Sequence, residues 1–460
     1  MNISVCLDAM IRELGLEGGQ WELFAVNDNA SSNAKLGVAL SAHLTQHLCD
    51  IHTLELVVKD AFNNTPGMKT LLKKTKKLAK YTHKSTVAAR ELKREAHHQN
   101  IRYRKLANPP NTRWSGRLTN LASVQHLKKP LTTLTSTKEN WHRHHLTPAE
   151  WKLVDGAVVL LGPVKDTVAA LEGEKEPTIN RKLERLYSMH CLLDEYIVNK
   201  SNGAIGLGRE LKRNLEKRFP EKGTTDPLAC MGNYFAPDLK GIHLEECNKL
   251  EETKDLIEQE WDKIKDCNSD SVHSAVEAIE EEEVELSPTS KLRRKMEARV
   301  QKPMTRKRQL RQIRREMIQY EGFSLAQKGV NVLEWFKSHE HILPNLSKVA
   351  KKVLTVPASS AKSERVFSQS GNFVSKKRGS LAPKKVEELC LIKLNKRMLD
   401  HFKESGGYEI LPTTADPFNM VNVDLVLQEL FEQEEAEADE ESDGESSGGE
   451  GEDSGTDEDE

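Results

Sequence analysis

The sequence predicts a mostly α-helical protein with a small α/β portion near its N-terminus and an acidic tail that builds no core. Three observations carry this. From about Lys69 to Gly329 apolar residues recur at helical spacing, with no alternating strand pattern. One clear strand-like run, Trp21–Val26 (W-E-L-F-A-V), precedes that stretch and leads into Asn27-Asp28-Asn29. From Glu429 to Glu460 there are 17 acidic residues and no Lys or Arg, in a Gly/Ser/Glu-rich composition that cannot bury enough apolar surface to fold.

Taken in order, residues 5–14 have apolar spacing suited to a helix ending near Gly15–Gly19. The Trp21–Val26 strand places Asp28 at a strand's C-terminal end, where α/β folds commonly put functional groups. Asn29–Ser32 can cap a following helix carrying Leu36, Leu40 and Leu44, and Leu54–Val58 is a further short apolar run. Trp151–Leu171 predicts an amphipathic helix pair bent at Gly162-Pro163. Leu207–Phe219 predicts another helix, stopped by Pro220. Near the C-terminus, Ser359 or Ser360 can cap a helix that Gly371 ends in a left-handed conformation. On that helix Glu364 shares a face with Ala361, Phe367 and Ser368, a face expected to point inward. A carboxylate there must be exposed at an edge, paired, or bound to a metal, because an unpaired buried charge is too costly. Val386–Leu394 is apolar on nearly every side, so one face can pack within the chain while the other meets a second chain, or both can pack internally.

At 460 residues the chain has room for two to four domains. Its seven cysteines are scattered without a C-x-x-C pair, which fits a reducing compartment and argues against a disulfide framework. Neither a signal peptide nor an apolar run of membrane-spanning length occurs, so no membrane partner is expected, nor a small-molecule substrate. The net charge of −3 hides a division: without the tail's 17 acids, 68 basic residues face 54 acidic ones, about +14 for residues 1–428. Lys69–Lys84 holds seven lysines, either phosphate contacts or a solvated face. Lys291–Arg315 contains 12 Lys or Arg and one Glu. Arg293, Arg294 and Lys295 with Arg306, Lys307 and Arg308 form a candidate bipartite nuclear-import signal on a surface or disordered insertion, the alternative being a solvated basic helix packed on its acidic neighbour. His43, His47, Cys49 and His52 cluster within ten residues, which could mean zinc but more often means packing. In the tail, Ser442, Ser447, Ser454 and Thr456 each have an acid three residues on, as acidophilic kinases accept.

A family resemblance then becomes plain. The run I-L-P-N-L-S-K-V-A-K-K-V-L-T-V-P-A-S-S-A-K-S-E-R-V-F-S-Q-S-G-N-F from Ile342, continuing through K-K-R-G-S-L and closing V-E-E-L-C-L-I-K-L-N at Asn395, resembles the C-terminal dimerisation segment of hAT transposases. N-D-N-A-S-S-N is similar to that family's T-D-N-A-S-N signature, with Asn27 for Thr and an extra Ser. H-L-C-D-I-H-T-L-E-L resembles its C-x-x-H-x-L-N-L block, with Glu55 for Asn, and N-T-R-W-S-G its Arg-Trp pair.

The resemblance implies an α/β RNase H-like core, incomplete at the N-terminus, interrupted by a large all-α insertion, and mostly α overall. It divides the chain into 1–60 (start of that core), 61–267 (insertion), 268–325 (charged, disordered linker with the basic cluster), 326–400 (dimerisation region closing the core), 401–428 (extension) and 429–460 (acidic disordered tail). Asp28 and Glu364 would be the second and third acids of an Asp-Asp-Glu site that holds two Mg²⁺ ions in active members. Arg113, Trp114, Cys49 and His52 would be DNA-binding positions. Leu343, Leu346, Leu354, Phe367, Leu389, Leu391, Ile392 and Leu394 would serve dimerisation.

Only 27 residues precede Asp28, and neither the first acid nor a BED zinc finger is among them, so this chain is expected not to cut DNA and to need no cofactor. Magnesium enters only if a longer form completes the site. The function expected is that of a catalytically inactive, transposase-derived nuclear protein that homodimerises and acts on DNA or chromatin as a transcription regulator. The alternatives are an N-terminally truncated transposase and a histone or basic-protein binder using the acidic tail.

Overall fold

The computed structural model describes residues 23–28, 44–108, 114–173, 176–199, 203–276, 306–374 and 384–393. The expected helix at 5–14, residues Trp21, Leu36, Leu40, His43, Arg113, Arg293, Arg294, Lys295 and Leu394, and the acidic tail lie outside them. The chain divides into two compact units, Met1–Lys362 and Ser363–Glu460.

Strand β1 is Leu23–Asn27, so the strand foreseen at Trp21–Val26 ends one residue later and delivers Asp28 just past its C-terminal end. It pairs in parallel with β2, Leu44–Leu48, in the register Leu23↔Leu44 to Asn27↔Leu48. Leu44 therefore belongs to a strand, not to the helix expected from Leu36 and Leu40. Parallel partners need a crossover of about a dozen residues or more, a length that residues 28–43 supply. These two strands are the whole sheet among the described residues.

Everything else described is helical or loop. Helix α1 (Asp50–Asn64) follows β2 at once, and takes in the apolar run Leu54–Val58. Then come α2 (Met68–Lys84), α3 (Thr86–His98), α4 (Trp114–His126), α5 (Lys128–Thr137), α6 (Glu139–His142) and α7 (Pro148–Leu171). After α8 (Ile179–Val198) and α9 (Ile205–Arg218), a short 3₁₀ turn leads into α10 (Pro227–Tyr234), α11 (Ile242–Glu246) and α12 (Leu250–Val276). The last are α13 (Arg306–Gly322), α14 (Val332–His339), α15 (Pro344–Leu354), α16 (Ala361–Phe373) and a helix over 384–393, α17.

Helix α7 runs unbroken through Pro163, where the sequence suggested two helices. A capping box anchors its start: Glu150 N–H donates to the Thr147 hydroxyl, and Thr147 N–H to the Glu150 carboxylate. Proline removes one intrahelical hydrogen bond, to the carbonyl of Val159, and the buried face of Val154, Ala157, Leu160, Leu161 and Val164 holds the helix together across that gap. Gly156 is needed where α7 meets its neighbours, because a Cβ there would stand 2.3 Å from that of Ala204.

A charged, disordered linker was expected over 268–325, yet 306–322 is helical, and from Ile313 onward this helix packs on the first unit's core. Ile313, Met317 and Tyr320 are buried at helical spacing on one face of α13. The Tyr320 hydroxyl donates to the carbonyl of Tyr234 at 2.9 Å. Glu316, also buried, accepts from the backbone N–H groups of Asn345 (2.9 Å) and Leu346 (2.8 Å) and from the Asn345 side chain (2.5 Å) at the start of α15. A carboxylate at a helix N-terminus satisfies donors that have no intrahelical acceptor. Replacing Glu316 with alanine leaves those donors buried and unpaired, and urea titration should register a loss of about 2–3 kcal/mol. An unchanged midpoint would show that water replaces the carboxylate there.

In the second unit Phe373, Leu389 and Cys390 form a small core with Val386 and Ile392 against it, joining α16 to α17.

Candidate functional site

The C-terminal ends of β1 and β2 lie side by side, with Cys49 N–H donating to the Asn27 carbonyl at 2.7 Å. Asp28, half-buried, follows β1 at this edge, and Asp50 opens α1. The segment leading to the S-E-R motif is fixed against the same junction. Asp50 N–H donates to the Ala358 carbonyl at 3.0 Å, and Ser360 N–H reaches Cys49 Sγ at 3.4 Å. The Ser359 hydroxyl donates to the Leu171 carbonyl instead of capping a helix. Cys49 is thus fully buried and engaged within the chain, while His52, three residues along, is half-buried on α1.

Beneath this edge sits a charged cluster that the sequence did not disclose. Lys182 Nζ of α8 lies 2.7 Å from Asp50 Oδ1 and 2.6 Å from Asp226 Oδ2. Asp226 also caps α10, accepting from Leu228 and Ala229 N–H at 3.0 and 3.4 Å. His47, on β2, brings Nε2 to 3.6 Å from Asp50 Oδ2 and 3.8 Å from Asp226 Oδ2. Lys182, Asp50 and His47 are all buried. Burial alone would lower the Lys182 pKa, but the two carboxylates outweigh it and hold the ammonium above its ordinary range. Burial pushes Asp226 up, and the charges of Lys182 and His47 more than offset it, leaving that carboxyl below its usual range.

This arrangement does not suit a divalent ion. An ammonium fills the space between the two carboxylates, and Mg²⁺ requires oxygen donors on every side. Among the described residues no three His, Cys, Asp or Glu side chains converge in a way that could hold a metal. The chemistry available at the cluster is charge pairing that ties β2, α1, α8 and α10 together.

Glu364 lies on α16, and its face is turned outward in this chain, contrary to the inward face expected. Glu364, Phe367 and Ser368 are all exposed. Gly371 does not end the helix, which continues to Phe373. Glu364, Phe367, Gly371 and Val374 instead form an outward seam with 3-4-3 spacing, Phe367 being 73% and Val374 49% exposed. Leu391 on α17 is 54% exposed. The dimerisation candidates separate accordingly. Leu343, Leu346 and Leu354 are buried inside the first unit, Leu389 belongs to the small core, and Phe367 and Leu391 face outward.

Trp114 starts α4 and is only 7% exposed, packed into the core with Leu118 and Leu121. A direct DNA contact by this ring, as the resemblance implied, would require it to leave that position. Arg306, Lys307 and Arg308 fall in the first turn of α13.

A second feature is electrostatic. Residues 69–105 hold thirteen Lys or Arg and two Glu, and α2 itself has no acid. Lys69, Lys73, Lys77, Lys80 and Lys84 are exposed and make no ion pair with a described residue, whereas Lys74 reaches Glu150 at 2.7 Å. At about 100° per residue the five fall within a stripe about 80° wide, and at 1.5 Å per residue the stripe is about 22 Å long. Lysines four apart repel one another by about 0.2–0.5 kcal/mol per pair. A helix selected only for solubility would interleave glutamates, and this one does not.

Two family models match. One, described as the hAT family C-terminal dimerisation region, matches residues 316–395, from the buried cap Glu316 past α17. The other, described as the ZBED1 RNase-like helical domain, matches residues 48–158 and takes in Trp114 and the lysine stripe. No curated protein matches the chain. The Lys182 side of the charged cluster lies outside both matched segments.

Proposed function

We propose that this chain, which is hAT-transposase-derived and of the ZBED type, works as a homodimer joined through its C-terminal helices and acts on DNA or chromatin in the nucleus as a non-catalytic regulator. The observation that carries the reading is the dimerisation-region match over 316–395, on whose last two helices Phe367 and Leu391 are exposed, with Val374 exposed just past the first of them. Large apolar side chains left exposed within a matched dimerisation region are the candidates for contact with a second chain. The parallel β1–β2 pair would be part of an RNase H-like core, with Asp28 at its strand end as an inherited ligand.

Nuclear entry would rest on the basic cluster at 291–315. Sedimentation of the full chain tests the core of this reading. A dimer at micromolar concentration is expected, and a monomer throughout that range would remove its foundation.

A further inference from the structure

We infer that the lysine stripe of α2 is a docking surface for the phosphate backbone of duplex DNA, read without regard to sequence. The inference rests on the DNA association proposed above and gives that association a place on the molecule.

Five ammonium groups, Lys69, Lys73, Lys77, Lys80 and Lys84, stand in one row on an exposed helix face, and none is neutralised by a described carboxylate. Most are spaced by one helical turn, about 6 Å along the axis, and the row is about 22 Å long. A duplex presents about one negative charge per 1.7 Å of its axis, so a row of this length faces a continuous line of phosphates. An acidic peptide offers no such regular line.

The stripe also lacks what single strands need. Tyr81, the aromatic residue of α2, is occupied: its ring stacks on His144 at 4.6 Å, meets Trp141 edge-on at 5.2 Å and lies under Arg143 at 5.1 Å. No ring on this face is therefore offered to an unstacked base. On the next helix, α3, Arg90, Lys93 and Arg94 are also exposed and add to the positive charge of this part of the chain. The mutual repulsion along α2 is the cost of keeping an acid-free row, and a polyanion relieves it.

The test is anisotropy titration of the full chain with two unrelated duplexes of the same length between 50 and 200 mM salt. Five phosphate contacts predict a slope of log K against log salt of about −4.5, a loss of about 500-fold over that range, and the same affinity for both duplexes. The variant Lys73→Gln/Lys77→Gln/Lys80→Gln should flatten the slope by about 2.7. A control with the same charge change at exposed sites elsewhere, Lys165→Gln/Lys217→Gln/Lys337→Gln, should leave it unchanged. Equal flattening in both variants, or none in the first, overturns the surface assignment while leaving DNA association standing. Tighter binding to single strands overturns the duplex assignment. Binding of polyglutamate with none of duplex assigns the stripe to an acidic protein and overturns the inference. No binding at 50 mM salt by the unaltered chain removes the DNA reading itself.

Discussion

Replacing Lys182 with alanine should cost the first unit about 3–5 kcal/mol in urea unfolding, the largest loss expected from a single charged side chain here. The cost is not the worth of two ion pairs in water. It is the penalty of leaving the Asp50 and Asp226 carboxylates buried around an empty space after their shared ammonium is gone. Adding Asp50→Asn and Asp226→Asn to a Lys182→Met chain removes the charges together and should restore most of the loss, since Asn at 226 still caps α10. A single-variant loss below about 1 kcal/mol would mean that water already screens the cluster.

The pH dependence follows from the two displaced pKa values. Lys182 is held above its ordinary 10.5, so its share of stability is complete below that value and fades as pH rises through the raised one. Asp226 is held below its ordinary 3.8, so its share is present above that value and fades as pH falls through the depressed one. The intact chain should weaken at both extremes, and the triple variant should weaken less.

This cluster also shows where sequence reading stops. Lys182 stands in R-K-L-E-R, a pattern that looks like a solvated helix face, and its carboxylates come from positions 50 and 226. Nothing local marks it, because the burial comes from packing α8 against α10, with Asp50 at the start of α1 pairing across to Lys182. Strand β2 escaped notice for a related reason. L-T-Q-H-L has no clean alternation, and only its pairing with β1 makes it a strand. Helices with strong apolar periodicity, such as α7 and α9, were legible, since their buried residues recur at 3.6-residue spacing whatever the tertiary context. On α16 the helix itself was legible but its orientation was not. A face carrying Glu364 and Phe367 reads as inward when Phe is taken for core, yet the core residue of this helix is Phe373, about 240° around from Phe367.

That outward phenylalanine makes the interface itself testable. Phe367→Asp is expected to leave the monomer's melting unchanged, because the side chain is already 73% exposed in the chain and holds up nothing inside it. The dimer should respond strongly. In a two-fold dimer one substitution alters both copies of a self-complementary patch, so each lost contact counts twice. Burying a phenylalanine contributes about 1.5–3 kcal/mol, so two copies give about 3–6 kcal/mol, or at least about a hundredfold in Kd. Sedimentation at micromolar concentration should therefore find the variant monomeric. The same variation at Leu346, buried at the base of α15, should act through unfolding instead. Glu364 stands one turn before Phe367 on the same seam, so a dimer built on this face sets Glu364 beside the contact that joins the two chains. A Phe367→Asp chain that still sediments as a dimer would move the interface off this seam, and Glu364 with it.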